Sequence, residues 1–360
     1  LDSGDVRKLN GTIVRKEDAL GNVRAAYDYV RKTIRYIADE RGLNAIIPRS
    51  PSATLSTQFG DCKDRVALVS AIAGEQGVAA IPVLVPTAAS PRFNGVHTTM
   101  FNHVINGVVQ GPRIVFCDPT SRYCAFGNLP DGDVQKRVFL LDSSQARFVT
   151  TPIPERKPTL DIAVTARLDS LHACTASIIL RNGLLQAALY ARHDFTKEKF
   201  RHELQSALAG YLYQVRLDDF EVVGEEEGSL TLSARLDLSA FILQSGERFY
   251  VPRTPFAQFD NDVLEREGDR FPVIFPSTVD LAFSLCIDAH SATVHPDSMQ
   301  IDGGGFAYSA RAGNAGGTIQ CTYRYCRNTT IIETDMKRDF FRTYKAYLEN
   351  KKNVFVLTRR

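Results

Sequence analysis

The chain has 360 residues, 44% of them hydrophobic and 23% charged, with 43 Lys and Arg against 41 Asp and Glu. That length suits two or three domains, and the composition argues against disorder. A formal net charge of +2 offers neither the basic excess of a nucleic-acid binder nor an acidic solvating tail.

The first residue is Leu1 and no signal-peptide pattern follows, which reads as a trimmed N-terminus with any targeting segment removed. Ala19 to Ile37 carries an apolar stripe at helical spacing through Val23, Ala26, Tyr27, Val30 and Ile34. A loop rich in Pro, Ser and Thr follows around Pro48 and Pro51. Val66, Leu68, Val69, Ile72 and Ala73 predict a second helix that ends at Gly77. Ala80 to Val85 predicts a buried strand closed by Pro86. This Val66 to Val85 stretch is the longest apolar one. It is broken by Gly74-Glu75-Gln76-Gly77 and by Pro82, so no membrane span is expected. Phe101 to Val109 and Arg113 to Cys117 predict two strands across a Gln110-Gly111-Pro112 turn.

Three prolines between Thr150 and Pro158 mark a stiff connector. Beyond it, Leu160 to Leu180, Phe220 to Leu238, Phe271 to Ile287 and Thr318 to Tyr325 predict β-structure. Helices are predicted near Thr196 to Leu212 and Asp335 to Asn350, then a closing strand over Val354 to Leu357. The glycines of Gly303-Gly304-Gly305 and Gly313 to Gly317 lack a dinucleotide-site context and are read as hairpin turns. Seven cysteines at irregular spacing make no disulfide framework. Without C-x-x-C or H-E-x-x-H, neither a metal nor another cofactor is expected.

The chemistry concentrates at three residues. Gly60-Asp61-Cys62-Lys63-Asp64 sits where the Pro-rich loop enters the second helix. Free N–H groups and the positive end of the helix dipole there favour a thiolate on Cys62, and the Cys62 N–H is a candidate oxyanion donor. A lone Cys beside a helix is more commonly a buried small hydrophobe, and a strand His a bland half-buried residue. What changes the odds is a pairing. A two-residue turn at Gln110-Gly111 sets His103 directly opposite Asp118, on one face, so that the carboxylate can orient the imidazole. A turn at Asn106-Gly107 is the stronger hairpin signal and pairs His103 with Gln110 instead. Pro119 favours the first register by stopping the strand after Asp118.

Phe59-Gly60-Asp61-Cys62-Lys63-Asp64, a helix, Gly77 to Val85, Phe101-Asn102-His103-Val104 and Asp118-Pro119-Thr120 occur in that order. In this they resemble the bacterial transglutaminase-like superfamily, and more narrowly its multidomain members with a papain-like core between β-rich domains. The resemblance spans roughly residues 19–141, with echoes at Arg270-Phe271-Pro272-Val273 and Phe355-Val356-Leu357. It implies an α+β fold, with a papain/transglutaminase-like core whose Cys62 helix packs on an antiparallel sheet, followed by a mainly antiparallel β region. The expected division is a core over 1–150, a linker over 151–158 and a β-rich region with an inserted helix over 159–360. The N-terminal β-domain common in the resembling proteins is not in this sequence, as in a fragment.

By that resemblance Cys62 is the nucleophile, His103 the general base and then acid, and Asp118 the orienting carboxylate of an acyl transfer. The animal cross-linking enzymes also use an upstream Trp, and this sequence has none. Gln58, His97 and Asn102 are the oxyanion or cleft candidates. An acyl-enzyme hydrolyses by default, because water is in vast excess and no amine pocket is visible in the sequence. The expected activity is therefore a cysteine peptidase or amidase acting on a peptide or protein substrate. A transglutaminase and a non-catalytic binding module with the same fold are the alternatives. The resembling proteins are often exported, which implies a periplasmic or secreted location.

Overall fold

A computed structural model describes residues 17–38, 45–87, 101–122, 124–143, 146–153, 159–181, 193, 196–226, 228–256, 264, 267–268, 273–275, 278–288, 290–315, 317–329 and 331–359. The chain is α+β and forms two compact units, Leu1–Arg156 and Lys157–Arg360. Pro154 to Pro158 of the expected linker lie outside the described residues. Among those described, no helix is long and apolar enough to cross a membrane.

In the first unit, helix α1 (Ala19–Thr33) starts where the Asp18 side chain accepts the Gly21 N–H at 2.7 Å, and it buries Val23, Ala26, Tyr27 and Val30. Strand β1 (Arg35–Tyr36) follows at once. The segment expected to be a loop holds a helix, α2 (Pro51–Thr57), capped by Ser50 with Pro at its first position. Seven residues are too few to show an apolar period, so only the cap and the proline announced it. Strand β2 (Phe59–Gly60) pairs in parallel with β1 and leads into α3 (Cys62–Glu75).

The remaining strands are β3 (Ile81–Val85), β4 (His103–Gln110), β5 (Arg113–Cys117), β6 (Arg137–Leu140) and β7 (Arg147–Thr150). They form one antiparallel sheet in the order β5-β4-β3-β6-β7. The sequence reading missed β6 and β7, which are four residues each. Alternation along the strands separates two cores. Ala80 and Val108 join Val23, Ala26 and Val30 of α1 and Leu68, Val69 and Ile72 of α3. Val83, Val85, Ile105 and Phe116 pack with Leu129, Val134, Val138 and Leu140.

The second unit is built on an eight-stranded sheet. Its order is Arg216–Glu226, Ser229–Asp237, Cys174–Arg181, Thr159–Ala166, Val279–Asp288, Thr318–Arg327, Phe306–Ala315 and Asp297–Gly303. Every pair is antiparallel except Thr159–Ala166 with Val279–Asp288. A four-stranded sheet carries the closing strand Val354–Arg359. Helix α4 (Lys197–Tyr211) rests Phe200 edge-on against Phe220. Helix α5 (Lys337–Asn350) rests Phe340, Tyr344 and Tyr347 on Phe306. Gly304 and Gly305 form a hairpin turn with positive φ, as read from the sequence. The strands on either side of it were not foreseen. Gly304 admits no side chain, because a Cβ there would lie 2.3 Å from the Phe340 backbone nitrogen.

Asn106-Gly107 is mid-strand in β4 and not a turn. A Cβ on Gly107 would lie 3.0 Å from Val83 Cγ2 and 3.3 Å from both Ile114 Cγ2 and Leu140 Cδ1. Gly107→Val is therefore expected to lower the unfolding free energy of this unit by roughly 1–3 kcal/mol, the usual cost of overpacking. Urea denaturation measures it, and an unchanged midpoint contradicts the packing described.

Candidate functional site

The local sequence decides where Cys62 sits. Asp61 is the N-cap of α3, its side chain accepting the N–H groups of Lys63 at 3.1 Å and Asp64 at 3.3 Å. Asp64 returns the bond by accepting the Asp61 N–H at 3.2 Å, which completes a capping box. Cys62 is thus the first helical residue, partly exposed, and its N–H finds no acceptor among the described residues. Lys63, the next residue, pairs with the Asp61 carboxylate. Gly60 sits close under this cap: a Cβ there would lie 2.7 Å from that of Asp64.

Arg65, one turn further on, ties the helix down. Its guanidinium donates to Pro119 O at 2.8 Å, to Thr120 O at 3.3 Å and to Ile34 O, and the residue is 3% exposed. Burial lowers its pKa to about 10, against support from Asp118, so it stays charged at neutral pH.

His103 opens β4 and Asp118 follows β5 directly. The hairpin between them differs from both expected registers. The turn is Gly111-Pro112, with Gly111 at φ 57, and Gln110 pairs with Arg113 while Asn106 pairs with Cys117. His103 and Asp118 are therefore diagonal neighbours and not directly opposed. The slip from the expected register is two residues, an even number, so both side chains keep one face. His103 Nε2 lies 3.2 Å from Asp118 Oδ2. Asp118 is 3% exposed; its Oδ1 accepts the Thr120 N–H at 2.9 Å, and the Thr120 hydroxyl lies 2.7 Å from Oδ1 and 2.9 Å from Oδ2. Cys62 hydrogen-bonds the same imidazole through its sulfur. Burial opposes a charge on His103. The hydrogen bonds to Asp118 and Cys62 and the charges of Asp118 and Asp133 outweigh it and push the imidazole up to about 11.

Two residues that the sequence reading passed over stand at this point. Asp133 is 2% exposed and stands beside His103 and Asp118, and no spacing rule singles out an Asp in a turn. Its burial, the Asp118 charge and a hydrogen bond with Asp118 raise its pKa to about 7, partly offset by His103. Tyr36 is 45% exposed, and Arg65 stands 5.6 Å from its ring. Burial of part of its phenol and the nearby Cys62, Asp61 and Asp118 raise its pKa to about 12, so it remains a donor. The β1–β2 pairing of Tyr36 with Gly60 puts it there, and no motif marks it in sequence.

His103, Asp118 and Asp133 each offer one potential metal-ligating atom within 4.8 Å of the others. A cation among them would need a deprotonated imidazole and would replace the His103–Asp118 hydrogen bond, against the direction in which His103 is shifted. Of the other candidates, Asn102 accepts the Thr87 N–H at 2.9 Å and donates to the Thr87 hydroxyl at 2.8 Å, so its amide is tied to Thr87. Gln58 is exposed and ends α2 in a left-handed conformation at φ 54. His97 lies outside the described residues. Cys117 and Cys124 are buried and are not joined in a disulfide.

No family model and no curated protein matches the sequence. The fold is similar to that of a crystal structure from Parabacteroides distasonis ATCC 8503 described as a "putative protease", with a TM-score of 0.52 at 7% identity. The match covers 99% of this chain, which spans 55% of the other.

The two raised pKa values set a pH dependence of stability. His103 goes from 6.5 to about 11 on folding and Asp133 from 3.8 to about 7. A group raised on folding stabilises most below its unfolded value and loses that contribution as pH rises through its folded value. Both therefore act in one direction between pH 5 and 8. The thermal midpoint is expected to fall over that range, and Asp133→Asn to flatten the fall. A midpoint that rises from pH 5 to 8 in the wild type contradicts the assignment.

Proposed function

We propose that the chain is a cysteine-dependent acyl-transfer enzyme, used hydrolytically as a peptidase or amidase. The observation that carries this reading is the position of His103, between the Asp118 carboxylate at 3.2 Å and the Cys62 sulfur at the first turn of α3. The papain/transglutaminase-like core expected from the sequence fits the same arrangement, a Cys-bearing helix on an antiparallel sheet. A neighbour described as a "putative protease" is in keeping with it at the level of fold.

In this scheme Cys62 attacks the carbonyl carbon of an amide as a thiolate paired with the His103 imidazolium. Charge then develops on the carbonyl oxygen, where the Cys62 N–H and the Tyr36 hydroxyl are the donors at hand. His103 delivers its proton to the departing amine. Formation of the S–C bond on attack removes the sulfur's negative charge, one of the interactions that hold that proton, so the imidazolium becomes a better acid as the intermediate collapses and the C–N bond breaks. Water then attacks the thioester with His103 as base. Asp118 keeps the ring oriented throughout, and Thr120 keeps Asp118 oriented.

Turnover of a peptide library measures these roles. Cys62→Ala is expected to abolish it, and His103→Ala to be nearly as damaging. Asp118→Asn should cost about 10²–10⁴-fold, leaving measurable activity. Tyr36→Phe should lower kcat by a smaller factor with little change in KM. Full activity in Cys62→Ala, on any substrate the wild type cleaves, overturns the proposal.

A further inference from the structure

Asp133 is the buried acid that this scheme leaves without a task. It ends a short 3₁₀ turn, Asp131–Asp133, and is 2% exposed. Its backbone is clamped on both sides. The Asp133 N–H donates to Pro130 O at 2.9 Å, and its carbonyl accepts the Thr151 hydroxyl, which itself accepts the Lys136 N–H at 2.8 Å. Gln135 turns the chain away at φ 51. So fixed, the carboxyl stands beside the Asp118–His103 pair, with one oxygen within 4.8 Å of a ring nitrogen of His103 and of a carboxylate oxygen of Asp118. Its Oδ2 is enclosed without a well-aligned partner, although the carboxyl is within hydrogen-bonding reach of Asp118.

Two adjoining buried carboxyl groups do not both ionise cheaply. Asp118 is already committed to His103 and Thr120, so the proton belongs on Asp133. The groups that bear on that proton are Asp118 beyond β5, His103 on β4 and Lys136 on its own loop. We propose that protonated Asp133 is a positioning residue: it donates a hydrogen bond to Asp118 and so fixes the carboxylate that aims His103 at Cys62. This rests on the cysteine acyl-transfer reading. It adds a built-in control, because ionisation of Asp133 removes the donor and sets a second negative charge beside Asp118.

The test uses the full chain with Asp133→Asn, which keeps a donor and cannot ionise, and Asp133→Ala, which removes the group. Three quantities are read: kcat and KM on a peptide the wild type cleaves, the rate of Cys62 alkylation by iodoacetamide from pH 5 to 9 with the site mapped by mass spectrometry, and the His103 titration by NMR. Asp133→Asn should keep kcat near wild type, move the His103 titration and remove a step near neutral pH from the alkylation profile. Asp133→Ala should lose roughly 10–100-fold in kcat at unchanged KM, the usual cost of losing a group that orients a site residue. Wild-type kcat and profile in both variants overturn the proposal. So does an Asp133→Asn variant that falls as far as Asp133→Ala; if a chelator also abolishes wild-type activity, the three groups hold a cation instead. Should Asp133→Ala not fold, Asp133→Asn decides alone, and an unchanged alkylation profile counts against the role. If Cys62→Ala keeps its turnover, the nucleophile reading falls, while the His103 titration still reports whether Asp133 orders the pair.

Discussion

The Arg65 guanidinium holds the site together. It sits one helical turn from Cys62, and its donors end on carbonyls at the close of α1 and on the two residues after Asp118. The helix that carries the sulfur, the strand end that carries Tyr36 and the loop that carries the carboxylate are thereby referred to one planar, rigid group. A buried cation is tolerable only with such partners and with a negative charge close by. Asp118 supplies that charge, and its own burial is balanced in turn by His103. The result is a row of alternating charges, Arg65, Asp118 and His103, in which each buried charge has an opposite one beside it.

That interdependence explains how much of the site was legible in the sequence. Asp61 and Asp64 flank Cys62 as the cap and the third residue of a capping box, so the helix start was written locally. The apolar runs of β3, β4 and β5 were equally plain. The register between β4 and β5 was not, because Gln110-Gly111, Gly111-Pro112 and Asn106-Gly107 all resemble turns, and packing chose among them. Gly107 is needed where Val83, Ile114 and Leu140 converge, and that demand lies far away in sequence. Tyr36 and Asp133 were invisible for the same reason: an aromatic in a two-residue strand and an acid in a turn carry no periodic signal. The Gly303-Gly304-Gly305 run was read correctly as a turn. Its flanking strands were overlooked because their outward positions are polar and small.

A similar fold at 7% identity fits this picture. What the architecture demands is satisfied carbonyls, capped helix ends and the right side-chain parity, and many sequences meet those demands. Apolar positions in the two cores need volume more than identity. The residues that admit little substitution are the few whose backbone has no room, such as Gly304 against α5, and those in the charged row.

The two-residue period of the β4–β5 hairpin has a consequence for how such a chain can diverge. Shifting the pairing of the two strands by two residues leaves both side chains on one face, whereas a shift of one sends Asp118 to the opposite side. Insertions and deletions inside the strands are therefore filtered by parity before they are filtered by size. The tip at Gly111-Pro112 escapes that filter, because a longer loop there leaves the pairing below it unchanged.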